Sequence, residues 1–167
     1  MHNERENYSY AHTQPYSNIA RVYGIPLQVD IPGERVGKEY NAIRDTGASS
    51  TCISNRLVDY LSLPIDGYVD NHTANGTVRS TLHTVDVRFQ SGLYFKGIQV
   101  VAADMVMQDV LIGTDIISLG DLSITNYYGR TIVTFGVPSI KRHDYVAEAK
   151  LKSIIAKGHM PSKKKKS

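Results

Sequence analysis

The order of apolar and polar positions divides the chain into short segments, most with the two-residue period of strands. Residues 1 to about 18 carry no period and are rich in Asn, Tyr, His and Ser, which predicts a flexible lead-in. From Ala20 the run RVYGIPLQVDI alternates, PGERVG supplies a Pro-Gly turn and EYNAIR returns, so a hairpin is predicted. DTGASST follows as a polar loop of small residues. SNRLVDYLSLP then predicts a short helix with Ser54 as N-cap, Leu57, Tyr60 and Leu61 on one face, and Pro64 ending it.

A second hairpin is expected to turn at Asn75-Gly76, a pair that tolerates the two positive φ values of a type I′ turn. That turn sets His72 opposite about Arg79 and His83 opposite about Tyr68. The outgoing arm, TVRSTLHTVDVRF, holds Val85, Val87 and Phe89 in one phase but Val78 and Leu82 in the other. The slip near His83 predicts either a bulge or a strand that leaves the body as a projecting arm. Gln90-Ser91-Gly92 turns the chain into LYFKGIQVVAA; DVLIG reads as a buried strand, TDIISLG as a short helix ended by Gly120, and DLSITN and RTIVTFGV as two more strands. DYVAEAKLKSIIAK has helical spacing at Val146, Ala149 or Lys150, and Ile154, and GHMPSKKKKS beyond it reads as disordered. Strands recurring every 8 to 12 residues or so, with small helices between, define an all-β class.

Composition narrows the function classes. At 167 residues with 41% hydrophobic residues, the chain is one ordinary domain with enough apolar side chains for a core. No apolar run approaches the ~20 residues of a membrane-spanning helix, so no membrane partner is expected. The start lacks a basic stretch followed by an apolar one, which predicts no secretory signal and a cytoplasmic location. The single cysteine, Cys52, excludes an internal disulfide framework and reads as a small core residue in a reducing compartment. The net charge of +3 hides an asymmetry: residues 141–167 carry nine Lys or Arg against Asp144 and Glu148, or +7, and the rest carries −4. The expected organisation is a lead-in over 1–18, a domain over 19–140, and a short helix with a basic tail over 141–167.

Asp45-Thr46-Gly47-Ala48 is the first group with chemistry to offer. It follows a strand directly, its neighbours are too small to cover a carboxylate, and Ser49, Ser50 and Thr51 supply hydroxyl donors. Alone it also fits an Asx turn joining strand to helix. The second group, Val110-Leu111-Ile112-Gly113, lies about 65 residues downstream and opens a short helix, with the Asn75-Gly76 hairpin between the two.

DTGA after a strand, a helix, a glycine-tipped hairpin, then apolar-apolar-Gly opening a helix, in that order over residues 20 to 139, resembles the retropepsin-like aspartic proteases. DTGASSTCIS and DVLIGTDIISLGDLSITN look nearer to the cellular, bacterial-type members than to the viral ones. The resemblance implies a single-lobe closed β-barrel of the acid-protease kind with a flap hairpin and one or two short helices. It implies that Asp45 is the catalytic aspartate, that Thr46 locks two active-site loops together, and that Gly47 and Ala48 form the turn against which substrate backbone lies. Ala74, Asn75, Gly76 and Thr77 would form the flap tip, and Leu111, Ile112 and Gly113 the segment beneath the active-site loop.

Such chemistry needs two carboxylates about 3 Å apart sharing one proton. The chain has a single DTG, and Gly113-Thr114-Asp115 reads as a cap or first-turn dipole partner. The resemblance therefore implies a twofold homodimer with one Asp45 from each copy, acting on a peptide or protein without cofactor; RTIVTFGV is a candidate interface strand. Two departures stand out. Arg44 occupies a position that is usually apolar in the family, where strand alternation turns it away from Asp45 and a nearby cation favours carboxylate ionisation. Thr114 and Ser49-Ser50 stand where viral members place an interfacial Arg and Asp. These departures keep a competing expectation open, a catalytically inactive peptide-binding or assembly domain on the same fold. The six histidines do not cluster, so no metal site is expected, and Lys163 to Lys166 read as a solvated run more than a nucleic-acid contact.

Overall fold

A computed structural model of the chain describes residues 10–73, 76–140 and 142–156. The expected flap-tip residues Ala74 and Asn75, the first part of the lead-in and the lysine run lie outside the described residues.

Six strands close a ring. β2 (Gly24–Asp30), β3 (Glu39–Arg44), β8 (Val110–Ile112), β4 (Cys52–Ser54), β7 (Tyr94–Ala103) and β6 (Gly76–Phe89) pair in that order, and β6 returns to β2. β3–β8 and β4–β7 are parallel and the other pairs antiparallel. Ile25, Leu27, Val29, Ile53, Val85, Val100 and Val110 alternate into the interior and are fully buried, each worth roughly 1.5–3 kcal/mol of transfer free energy.

β5 (Gly67–Thr73) extends the sheet only by pairing with the first half of β6, so the two project as a hairpin. The phase change along β6 thus marks a projecting arm: residues 76–82 pair with β5 and residues 82–88 with β7. A bulge is present too, between Val85 and Val87 and not at His83, where Gly97 (φ 61°) takes up the extra residue of β7. The hairpin turns one residue earlier than expected, which shifts the pairing by two residues. Thr73 pairs with Gly76 and His72 with Thr77, not with Arg79, and Gly76, at φ 116°, opens β6.

α1 (Asn55–Leu61) starts as expected, with the Ser54 hydroxyl accepting from Leu57 N at 3.1 Å. It ends at Ser62 in the left-handed region, before Pro64 is reached. Leu57 and Leu61 face the core, whereas Tyr60 is exposed, because i and i+4 share a face and i+3 here falls at its margin under Lys38.

The largest difference lies at the N-terminus. Residues 10–15, expected within the flexible lead-in, form β1 (Tyr10–Pro15) against β10 (Arg130–Val137), which pairs in turn with β9 (Asp121–Tyr127). β1 has little apolar content to announce it; its order comes from the ladder that β10 offers. β10 is the central strand of this separate three-stranded sheet, so the edges left unpaired among the described residues belong to β1 and β9 and not to RTIVTFGV. The β9–β10 turn is Tyr128-Gly129, both at positive φ, 48° and 73°. α2 (Thr114–Ile117) follows β8, and α3 (Tyr145–Ala156) follows the sheet. Among the described residues no helix is long and apolar enough to cross a membrane.

Candidate active site

Asp45 stands at the end of β3, where the chain leaves the barrel. Its backbone N–H donates to Ile112 O at 2.9 Å, one step beyond the parallel β3–β8 ladder that pairs Ile43 with Leu111 and Arg44 with Ile112. Gly47 N donates to Asp45 Oδ1 at 2.8 Å and Ala48 N to Asp45 O at 3.3 Å, so the carboxylate caps a tight turn of its own loop. One oxygen is thereby fixed by a backbone donor. Asp45 itself is half-buried, and Thr46 and Gly47 are exposed.

The segment 112–115 holds that loop from below. Thr114 N donates to Ala48 O at 2.8 Å, and Gly113 N donates to Thr51 Oγ1 at 3.2 Å. Gly113 is required by contact: a Cβ there would lie 2.5 Å from Ser50 C and 2.6 Å from Ser50 O. Asp115 does more than the expected helix-start role. Its Oδ2 accepts from Thr51 N at 2.8 Å, and its Oδ1 accepts from the Thr51 hydroxyl at 2.8 Å and from Ile116 N at 2.9 Å. Both oxygens are engaged, so Asp115 is not a second catalytic carboxylate within the chain.

Arg44 is buried and turned away from Asp45. Its Nη1 donates to Gly24 O at 3.0 Å, a carbonyl that also accepts from the Tyr16 hydroxyl at 3.1 Å. Nη2 is buried without a hydrogen-bond partner among the described residues, and burial lowers the pKa of the guanidinium, with Tyr16 opposing. A cleft of about 280 Å³ opens beside Asp45 and Thr46, walled by Arg21, Tyr23, Leu122 and Ile124. The apolar pair comes from β9, one of the two edge strands of the three-stranded sheet. Cys52 is half-buried, its thiol 3.5 Å from Ser50 O; burial raises its pKa, and Asp115 and Asp45 add to that.

Of the expected flap residues, Gly76 and Thr77 lie at the far end of the β5–β6 hairpin. Arg79 stacks over the Tyr68 ring at 4.7 Å and faces Asp70 across the ladder, which stiffens the arm on one side.

A closed barrel with a projecting hairpin and a DTG loop clamped by the strand-to-helix segment is the single-lobe architecture of retropepsin-like aspartic proteases. The family model described as aspartyl protease matches residues 27–116, just over half of the chain, and the chain belongs to that family. Among solved structures, it is similar to a retropepsin-like aspartic protease from Rickettsia conorii at 16% identity, over 78% of this chain and 96% of that one, with a TM-score of 0.52. It is likewise similar to the EIAV protease solved with the inhibitor HBY-793, at 16% identity over 60% and 89% of the two chains and a TM-score of 0.50. At these identities the likeness is one of fold. Among curated proteins no match to the chain is found.

Proposed function

We propose that the protein is a homodimeric aspartic endopeptidase whose active site joins Asp45 of two copies across a twofold axis. The observation that carries this reading is the state of the two candidate carboxylates. Asp45 sits half-exposed on a clamped loop beside a cleft, whereas Asp115 has both oxygens engaged. A single chain therefore supplies one half of a carboxylate pair.

Two such groups held about 3 Å apart share one proton, since both cannot ionise at low cost. The ionised carboxylate takes a proton from a water as the water oxygen attacks the scissile carbonyl carbon. The protonated one donates to the carbonyl oxygen, giving a gem-diol with no covalent enzyme intermediate. Collapse returns the protons and releases an amine and an acid. Thr46, exposed beside Asp45, is placed to bond across the axis to the other loop, and the β5–β6 hairpin to close over an extended peptide. Leu122 and Ile124 on the free β9 edge supply apolar surface beside the same cleft.

The test pairs Asp45→Asn with a sizing measurement on the full chain. Peptide cleavage is expected to vanish while the dimer persists, and wild-type activity should follow a bell in pH set by two apparent pKa values of the pair. Full residual cleavage by the variant contradicts the reading. Peptide binding without turnover at any pH marks a silent binding domain instead.

A further inference from the structure

Two apolar features lack a partner among the described residues. One is α3, whose Val146, Leu151, Ile154 and Ile155 are all about half-exposed or more. A lone helix of 12 residues is marginal in water without tertiary packing. The other is the outer face of the three-stranded sheet. Alternation turns Val133, Phe135 and Leu122 toward the body and leaves Ile132 and Thr134 outside. At the β9–β10 turn, Pro15, Tyr16, Tyr127, Tyr128, Arg130 and Ile132 line a groove of about 650 Å³. Tyr127 and Tyr128 are 70% and 85% exposed there, large apolar rings presented to solvent by a left-handed turn.

Strand geometry links the two features. β1 and β9 are the two free edges of their sheet; β9 is the one whose Leu122 and Ile124 line the cleft beside Asp45, and an antiparallel twofold pairing of two β9 edges sets the Asp121 end of one copy beside the Tyr127 end of the other. The chain leaves its sheet at the Asp121 end, where the Ser139 hydroxyl and Ile140 N donate to the Asp121 carboxylate at 2.5 and 2.8 Å. Beyond Ile140 the connection over residues 141–144 reaches roughly 13–14 Å when extended, nearly three interstrand spacings of about 4.8 Å. One opposite-charge pair fits this placement: the first turn of α3 carries Glu148, ahead of Lys150 and Lys152, and the groove carries Arg130, which makes no ion pair among the described residues. Among the described residues Glu148 itself reaches only His143, at 4.0 Å.

We propose that α3 of one copy docks in the Tyr127–Ile132 groove of a second copy, with Glu148 against the second copy's Arg130, so that the dimer is tied by exchanged C-terminal helices. The proposal rests on the shared-site reading and names the surface that holds the two copies together. It also supplies an interface where Thr114 and Ser49 have replaced the ion-pairing residues expected of viral members.

Charge reversal tests it on the full chain, because Arg130 and Glu148 are both exposed and their replacement leaves the core intact. Arg130→Glu and Glu148→Arg are each expected to raise the dimer dissociation constant about tenfold in sedimentation equilibrium. Mixing the two variants should restore wild-type association, since in the mixed dimer both contacts pair opposite charges. If the contact lay within one chain, mixing would restore nothing, and that result overturns the proposal, as does a dimer indifferent to both reversals. A wild-type chain that sediments as a monomer overturns the docking and the shared site together; a wild-type dimer that ignores the reversals overturns the docking alone.

Discussion

Asp115 reaches back 64 positions to Thr51 and binds it twice, accepting the backbone N–H on one carboxylate oxygen and the hydroxyl on the other, both at 2.8 Å. Thr51 is buried and ends the loop that begins at Asp45, so this pair fixes the far end of the Asp45 loop. Asp115→Ala leaves two buried donors unsatisfied. It is expected to cost about 1–3 kcal/mol of stability in chemical denaturation and to lower kcat more than it raises KM. Asp115→Asn, which keeps one acceptor oxygen, should retain more of both.

Gly113 carries the loop from the other side. Its α-carbon faces the Ser50 carbonyl so closely that an added methyl must displace backbone. Gly113→Ala is expected to lose about 1–3 kcal/mol through overpacking and to lose cleavage activity disproportionately, because the displaced atoms belong to the Asp45 loop. Equal thermal melting of variant and wild type would contradict this account.

Ser54 serves two partners. Its hydroxyl accepts from Leu57 N and donates to Asp109 Oδ1 at 2.6 Å, and Asp109 also pairs with Arg56 at 3.0 Å. Ser54→Ala is expected to cost about 1–2 kcal/mol, readable as a lowered denaturation midpoint with unchanged slope.

The acid limb of stability follows from Asp86. This buried carboxylate sits opposite Asp30 in the β2–β6 ladder. It accepts from the Tyr94 hydroxyl, from Gly97 N at 2.7 Å and from Gly33 N at 3.3 Å. Burial alone pushes its pKa up, but the Tyr94 hydroxyl, the two amides and Lys96 outweigh burial and hold it below the usual 3.8. A carboxyl depressed in the folded state contributes stability that is present above its unfolded pKa and lost as pH falls through its folded one. Stability should therefore fall below about pH 4, and Asp86→Asn should flatten that part of the curve. An acid limb unchanged in the variant would assign the loss to other groups.

The parts of the fold legible in the sequence were those set by local chemistry. The Ser54 cap, the PGERVG turn and the alternation of Ile25, Leu27 and Val29 each act within a few residues, and each appears in the structure. What escaped was set at a distance. β1 is ordered by β10, more than a hundred residues away. Asp30 and Asp86 lie buried on a strand face that alternation would leave to solvent, because residues 33–37 fold over them and donate Val36 N and Gly37 N to Asp30 and Gly33 N to Asp86. Tyr128 takes a left-handed turn position that its side chain does not advertise. At the site, the loop and its supporting segment were readable from DTGA and VLIG. The tie between Asp115 and Thr51 was not, since an Asp in the first turn of a helix has a sufficient local explanation.

The central claim is that one active site is built from two copies of Asp45, and subunit mixing tests it most directly. Wild-type and Asp45→Asn chains are equilibrated in equal amounts at fixed total subunit concentration, and peptide cleavage is measured. If the carboxylates are shared, only wild-type pairs are competent and random pairing leaves about one quarter of the activity of wild type alone. If each chain works by itself, about one half remains, and that result would contradict the account.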